Sequence, residues 1–303
     1  MKKFLFKISL YIIGLITVFL FLGSYGDGNT DDNYLQFVRQ GDNIIMGDSR
    51  GAQAIIPDTL EKNFPGHVFD NFSLNITYSP YGEIYLKGLK RKIKPNTKNG
   101  IFILTVDPWN VSNAKNSKSF PEEHSALNNM WFYNLNPNYE YLIKNYHKSW
   151  FLIYRDRAAQ GKSNTFLHDN GWLEVTVDVS PEKVAEREME KVTFYRDVMA
   201  TSQEISPVRL KYFEETIQFL NQHGKVYLVR IPGGVKVNEI EQKYAPHFNQ
   251  LMKEIAQRNH ASYFDFCPLV KSYTFTDGNH LYKESGKILT KQIADSIKKV
   301  QKL

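Results

Sequence analysis

The sequence contains very little cysteine. Cys267 is the only cysteine in 303 residues, so an internal disulfide is excluded and stability must come from a packed core. The 42% of hydrophobic residues are sufficient for one sizeable core. Cys267 follows Tyr263-Phe264-Asp265-Phe266, which indicates a small buried side chain at the end of a strand and not a nucleophile.

The sequence also lacks the patterns of a metal centre and of a nucleic-acid-binding protein. The net charge of +6 accompanies 32 acidic residues, so no nucleic-acid partner is expected. The densest basic cluster, between residues 87 and 98, is interpreted as a solvated helix end, with a polyanion-binding patch as the alternative. No cofactor is expected. No metal site is expected either, because four histidines show no ligand spacing: His124, His147, His168 and His223.

The longest apolar run lies at the N-terminus. Residues 8–25 contain no charged side chain, and Lys2, Lys3 and Lys7 precede them. This length is near the minimum for a membrane-spanning helix, and the basic flank predicts a cytoplasmic tail at residues 1–7. A cleaved signal peptide is the alternative, but its apolar region is only about 7–15 residues long and ends in small residues. We therefore expect an uncleaved anchor at 8–25, with the rest of the chain outside the cytoplasm.

Short apolar segments alternate with helical patterns on both sides of a polar stretch. This order predicts an α/β fold over residues 41–303, with a mostly parallel sheet layered between helices, after a linker at 26–40. Residues 110–206 are rich in asparagine and lack regular alternation, so we predict an inserted region that covers one end of the sheet. The predicted strands are 43–46, 67–72, 101–106, 225–231 and 261–266, and the predicted helices are 50–56, 82–93, 207–223, 239–260 and 283–301.

The first predicted strand runs directly into Gly47-Asp48-Ser49. Gly47 permits a sharp turn, and Ser49 then falls at the start of a helix, where its hydroxyl is exposed and negative charge is favoured. The alternative is that Ser49 only caps this helix. Ligands of parallel sheets bind beyond the carboxyl ends of the strands, where Ser49, Asp107 and Arg230 are all predicted to lie.

A late motif supplies groups that would activate this serine. In Asp277-Gly278-Asn279-His280, the three-residue spacing can direct the carboxylate at Nδ1 of His280 and leave Nε2 facing a serine. The alternative is an Asx turn with a surface histidine. Together the two motifs favour a nucleophile, a base and a group that orients the base. No Gly-x-Ser-x-Gly occurs, which argues against the nucleophile elbow of the α/β-hydrolases.

The order of these motifs resembles the SGNH, or GDSL-like, hydrolase family, over about residues 41–102 and 207–303. The likeness is clearest in Gly47-Asp48-Ser49 and in Asp277-Gly278-Asn279-His280-Leu281. Val229-Arg230-Ile231-Pro232 and Tyr263-Phe264-Asp265 make the last third similar to the membrane-anchored DltD-like and polysaccharide-acetylation branch. The resemblance implies a flavodoxin-like three-layer fold, with Ser49 as nucleophile, His280 as base and Asp277 as its partner.

The resemblance also implies an oxyanion hole that begins with the backbone N–H of Ser49. The family adds a glycine N–H after its second strand and an asparagine side chain after its third. This sequence departs from both patterns: the two segments read Asp70-Asn71-Phe72-Ser73-Leu74-Asn75 and Thr105-Val106-Asp107-Pro108-Trp109-Asn110. Asn71, Asn75 and Asn110 are the candidate replacements for the missing donors.

Two charged residues at strand ends are further candidates for binding substrate. Asp107 would line the cleft, although Asp-Pro is also an ordinary turn opener. Arg230 stands in an apolar run and would hold an anionic or carbonyl group near the site. The alternative for Arg230 is a buried ion pair with Asp265 or Glu241.

These features predict a serine-dependent esterase or O-acyltransferase that acts on acyl esters of cell-envelope or extracellular glycans. The expected partners are an acylated glycan or small ester, the membrane, and envelope proteins of polysaccharide modification. The expected location is the bacterial inner membrane, with one span and a periplasmic or extracellular domain. The alternative is a catalytically inactive envelope scaffold or glycan-binding protein with the same fold.

Overall fold

The computed structural model describes residues 1–117 and 120–301. Its strands are β1 (Asn43–Met46), β2 (Phe69–Asn71), β3 (Gly100–Thr105), β4 (Ser112–Ala114), β5 (Thr165–Leu167), β6 (Leu173–Val175), β7 (Gln203–Ile205), β8 (Gly224–Arg230) and β9 (Ser262–Asp265). Its α-helices are α1 (Lys2–Gly23), α2 (Ser49–Ala54), α3 (Pro57–Asn63), α4 (Glu83–Lys92), α5 (Ala126–Asn129), α6 (Tyr139–Lys144), α7 (Trp150–Gln160), α8 (Pro181–Thr193), α9 (Ala200–Ser202), α10 (Pro207–Asn221), α11 (Val235–Tyr244), α12 (Phe248–Arg258) and α13 (Lys283–Gln301).

Five strands form one parallel sheet in the order β2-β1-β3-β8-β9. The central strands are continuous apolar runs because both of their faces are buried. In β3, Phe102 and Leu104 face a core cluster that includes α4, α10 and α12, whereas Ile101 and Ile103 face a cluster that includes α3 and α13. The predicted α/β class, with a parallel sheet layered between helices, is therefore confirmed.

The strand order places a topological switch point beside β1. The chain moves from β1 outward to β2 and then returns to the other side of β1 to form β3. In open α/β sheets, ligands bind in the crevice outside the carboxyl ends of the strands at such a point. The residues that follow β1 and β3 are those of the Gly47-Asp48-Ser49 turn and Asp107.

The prediction of a single helix over 239–260 is wrong. Two helices occupy this region, because α11 ends at Tyr244 and α12 begins at Phe248. Pro246 lies between them, and proline both lacks an N–H and disfavours helical backbone in the residue before it. The break allows α12 to pack along β9, while α11 contributes Glu241 to a different buried region.

Residues 110–206 contain two small antiparallel sheets, one from β4 and β7 and one from β5 and β6. The β5–β6 hairpin connects two distant parts of the chain. Leu167 N donates a hydrogen bond to Gly28 O at 3.2 Å, and Trp172 Nε1 donates to Gln53 O at 3.0 Å. The hairpin therefore lies between the segment that leaves α1 and the helix that begins at Ser49. The predicted limits of linker and domain stay a prediction.

Among the described residues, α1 is the one helix that is long and apolar enough to cross a membrane. It has 22 residues, and its most apolar 18-residue window has a mean hydropathy of 2.4 with no residue of that window buried. This length and composition fit either a membrane span or a signal sequence. The side of the membrane on which the domain lies stays a prediction.

Gly47 is required by the turn that joins β1 to α2. Its φ is +151°, and a Cβ built on it would lie 1.7 Å from Oγ1 of Thr105. We expect Gly47→Ala to lower the free energy of unfolding by about 2–4 kcal/mol, because alanine meets both unfavourable backbone and a clash. Thermal unfolding in detergent checks this loss.

The matched control for this substitution is Thr105→Ala. The Thr105 hydroxyl has no hydrogen-bond partner among the described residues, so its loss alone should cost little. Combined with Gly47→Ala, it should recover part of the lost stability, since the clashing atom is gone. A double variant that is no more stable than Gly47→Ala would contradict a steric origin.

Candidate active site

Ser49 is the first residue of α2, and its backbone is set by the preceding turn. Asp48 caps the helix, with its side chain accepting the N–H of Arg50 at 2.9 Å. Tyr85 fixes the start of the turn, since its hydroxyl accepts the N–H of Gly47 at 2.9 Å and donates to Phe72 O at 2.7 Å. Ser49 itself is only partly buried. Its hydroxyl is therefore held on a rigid turn and remains reachable from solvent.

The structure brings Ser49, His280 and Asp277 together. Ser49 Oγ lies 2.8 Å from His280 Nε2, and His280 Nδ1 lies 2.8 Å from Asp277 Oδ2. Since a carboxylate accepts hydrogen bonds, the proton belongs on Nδ1, and Nε2 is left free to accept the serine proton. This is the geometry of a nucleophile with an oriented base.

Asp277 is held by its own turn as well as by the imidazole. Its Oδ1 accepts the backbone N–H groups of Asn279 at 3.0 Å and His280 at 2.8 Å. Burial alone would raise the pKa of Asp277, but the hydrogen bonds from His280 and from these two N–H groups lower it below the ordinary value of 3.8. The carboxylate is therefore ionised at neutral pH, as required for stabilising an imidazolium.

A buried arginine directly follows Ser49 in the chain. Arg50 is 2% exposed. Its Nη2 donates to Glu241 Oε1 at 2.6 Å, and its Nε and Nη2 donate to Asn279 Oδ1 at 2.9 and 2.7 Å. Although burial opposes the charge, Glu241 and Asp107 raise the pKa of Arg50 further above its ordinary value. Arg50 is thus a permanent cation that ties α2, α11 and the loop before α13 together.

These hydrogen bonds fix the orientation of the Asn279 amide. Arginine only donates, so the atom of Asn279 that faces Arg50 must be the carbonyl oxygen. The NH₂ group then points the other way, and its Nδ2 lies 3.2 Å from His280 Nε2. Ser49 Oγ contacts the same imidazole nitrogen at 2.8 Å, so the Asn279 amide and the serine hydroxyl both adjoin His280 Nε2.

Asp107 belongs to this buried group and does not stand free in a cleft. Its Oδ1 accepts the N–H groups of Trp109 at 2.8 Å and Asn110 at 3.0 Å, and its Oδ2 lies 3.7 Å from Arg50 Nη1. Burial, followed by the negative charge of Asp48, raises the pKa of Asp107 to about 7, although Arg50 opposes this shift. Asp107 shapes the turn after β3, which agrees with the alternative of a turn opener.

Arg230 lies on the far side of Glu241 from Arg50. Its Nη2 donates to Glu241 Oε2 at 3.2 Å, and its Nη1 donates to Asn249 Oδ1 at 2.9 Å. The guanidinium is 4% exposed. The structure therefore places Arg230 in the buried ion pair with Glu241 that was the alternative, and does not bring it to Ser49.

The three asparagines considered as oxyanion donors differ in their positions. Asn71 uses both amide hydrogens inside the fold, since Nδ2 donates to Gly51 O and Ile55 O, each at 2.9 Å. Asn110 Nδ2 donates to Thr105 O at 3.3 Å. Asn75 is exposed and its Oδ1 caps the turn at Thr77 and Tyr78. None of these contacts joins them to Ser49 or His280.

Sequence reasoning missed Arg50 and Asn279, although both stand inside its two motifs. The signal was present, because Arg50 directly follows the serine and Asn279 directly precedes the histidine. Arg50 is buried, so its charge needs a buried carboxylate, and Glu241 in α11 supplies it. The sequence does not show how these residues pair after folding. Arg50 contacts Glu241, which is 191 positions away, and Asn279, which is 229 positions away.

Comparisons with known proteins give structural likenesses at low sequence identity. No protein-family model matches the chain, and no curated protein matches it. Among solved structures, the chain is similar to Est24, a carbohydrate acetylesterase from Sinorhizobium meliloti, with a TM-score of 0.41 and 10% identity over 85% of this chain and 99% of that chain. A likeness of this size does not define a function.

Proposed function

We propose that the protein is a serine-dependent acyltransferase or esterase. The observation that carries the proposal is the continuous hydrogen-bonded line from Ser49 through His280 to Asp277, with both contacts at 2.8 Å. A serine that only caps a helix has no need of an oriented imidazole. In the proposed reaction, Ser49 Oγ attacks an ester carbonyl while His280 Nε2 takes its proton.

The remaining steps follow from the same groups. Collapse of the tetrahedral intermediate breaks the bond to the alcohol, which takes the proton back from His280, and the acyl group stays on Ser49. A second hydroxyl then attacks the acyl-enzyme, with His280 again accepting its proton. The second tetrahedral intermediate collapses by breaking the bond to Ser49 Oγ, which takes that proton back from His280. Water as this acceptor releases a carboxylic acid, whereas a sugar hydroxyl yields a new ester. Asp277 stabilises the imidazolium in both halves.

We infer that two hydrogen-bond donors serve the developing oxyanion. The N–H of Ser49 makes no hydrogen bond within the described part of the chain. Arg50 fixes the Asn279 amide with its NH₂ group toward His280 Nε2, the nitrogen that Ser49 Oγ also contacts. We infer that Asn279 takes the place of the asparagine that the third segment lacks. Preorganised donors of this kind are worth about 10²–10³ in rate each.

The proposed substrate is an acyl ester of an extracytoplasmic glycan. The resemblance of the last third to polysaccharide-acetylation proteins favours an acyl ester on an extracytoplasmic glycan, as does an N-terminal membrane anchor. The second candidate is an inactive scaffold or glycan-binding protein, which the departures from the family's second and third segments favour.

A fluorophosphonate probe tests the catalytic proposal directly. The full-length protein in detergent should be labelled covalently, because the probe needs an activated serine and an oxyanion hole. Ser49→Ala should abolish the label, and Ser206→Ala, at the helix cap of α10, should leave it unchanged. Glycan binding without labelling, or equal labelling of Ser49→Ala, would favour the inactive scaffold.

A further inference from the structure

The C-terminal half of α1 packs against α6 and α7. Tyr139 Oη donates a hydrogen bond to Leu20 O at 2.7 Å, and the ring of Trp150 meets that of Phe19 edge to face at 5.0 Å. A groove of about 490 Å³ runs along the contact, and its lining is Ile16, Phe19, Leu20, Tyr139, Ile143 and Trp150. Helices α6 and α7 therefore lie beside the C-terminal part of α1, as far toward its N-terminus as Ile16.

The depth of this contact follows from the length of α1. A bilayer core is about 30 Å thick and needs about 20 helical residues. Suppose that the boundary of the bilayer core on the domain side lay between residues 15 and 16. Residues 2–15 would then have to cross the whole core, and at 1.5 Å per residue they span only about 21 Å. Three of these residues are also lysines. A membrane-spanning α1 must therefore keep residues 16–23 in the membrane, together with whatever packs against them.

We propose that Ile143, Trp150 and Phe151 form a membrane-docking face, which lies in the outer interfacial layer of the bilayer beside α1. Ile143 is 72% exposed and Phe151 55% exposed, which is unfavourable in water for side chains of this size. Both stand next to residues that touch α1, since Ile143 is one turn from Tyr139 and Phe151 adjoins Trp150. The partner of this face is the lipid bilayer.

Neighbouring residues have the composition of a membrane interface. The carboxylate of Glu140 accepts the backbone N–H groups of Trp131 at 3.1 Å and Phe132 at 2.9 Å, which ties that segment to α6. The side chains of Trp131 and Phe132 are exposed, as are Lys144, His147 and Lys148 around the turn between α6 and α7. Aromatic rings and cations at headgroup level are typical of membrane-proximal surfaces.

Docking would fix the orientation of the domain. A helix alone leaves the domain free to turn about the chain that follows it, whereas a second contact beside the helix does not. The β5–β6 hairpin is hydrogen-bonded both to Gly28, which follows α1, and to Gln53 in α2. Through these contacts Ser49 would be held at a constant height above the lipid. The inference rests on α1 spanning the membrane and is independent of the chemistry proposed for Ser49.

Site-directed spin labelling of the full-length protein tests the proposal. Cys267→Ala removes the only native thiol, and Ile143→Cys or Phe151→Cys then places a nitroxide on the docking face. Val68→Cys is the matched control, because Val68 is an equally exposed apolar residue, at 65%, beside the amino end of β2. Collision with oxygen is compared with collision with a water-soluble nickel chelate, in phosphatidylcholine nanodiscs.

The expected result is preferential collision with oxygen at positions 143 and 151 and with nickel at position 68. Nickel accessibility at 143 and 151 equal to that at 68 would overturn the proposal. Cleavage after α1 during expression, detected by N-terminal sequencing of the purified protein, would overturn it too, because α1 would then be a signal sequence. Two reporter sites keep the test valid if one labelled variant does not fold. Fluorophosphonate labelling of the same samples reports on Ser49 separately, so the two failures are distinguishable.

Discussion

Asp277→Asn is expected to lower kcat for ester hydrolysis by about 10³–10⁴-fold while leaving the fold intact. The asparagine oxygen can still accept the two N–H groups that Asp277 Oδ1 accepts at 3.0 and 2.8 Å. Its NH₂ group then faces His280 Nδ1, which must become an acceptor. The proton moves to Nε2, and His280 can no longer accept the proton of Ser49. The measurement is turnover of a chromogenic acetate ester.

Two companion variants complete this test. His280→Ala removes the base altogether and should fall to about the same rate as Ser49→Ala, because triad members act as one unit. Asp295→Asn makes the same chemical change on the exposed side of α13 and should retain full activity. If Asp277→Asn kept more than a tenth of the wild-type kcat, the carboxylate would not be setting the tautomer.

The sequence was sufficient to predict the parallel sheet and three candidate site residues that the folded chain brings together. Short apolar strands separated by helices define a parallel sheet because the pattern is local, and the predicted strands fall within two residues of the observed ones. Ser49, Asp277 and His280 are also marked locally, by a glycine turn after a strand and by a three-residue spacing. Strand order then brings them together without any further signal.

The allocation of buried hydrogen bonds could not be predicted in this way. Asn71 was a candidate donor in the sequence and Asn279 was not, yet Asn71 holds the carbonyls of Gly51 and Ile55 whereas Asn279 faces His280. The difference depends on which buried partner each meets after packing. Pro246 is a different case, because its helix-breaking effect is local and visible in the sequence. The prediction of one helix followed the helical pattern on both sides of it instead.

Asn279 is the residue that bears most on the proposed oxyanion hole, where the sequence departs from the family's pattern. Asn279→Asp preserves size and the acceptor that Arg50 requires, but replaces the amide donor with a negative oxygen. We expect kcat to fall by about 10²–10³-fold with KM nearly unchanged, since the donor acts on charge that develops only in the transition state. Steady-state kinetics with the chromogenic ester measures both constants.

The loss in Asn279→Asp has two possible origins, because the amide lies 3.2 Å from His280 Nε2 and is also the proposed second donor to the oxyanion. If Asn279 only positions the imidazole, removing it should cost nothing once His280 is absent. If it stabilises the oxyanion, the loss should persist in the His280→Ala background, where residual catalysis depends on the oxyanion hole and binding. We expect at least a tenfold difference between His280→Ala and the double variant. Equal rates would assign Asn279 to His280 alone and leave the Ser49 N–H without its proposed second donor.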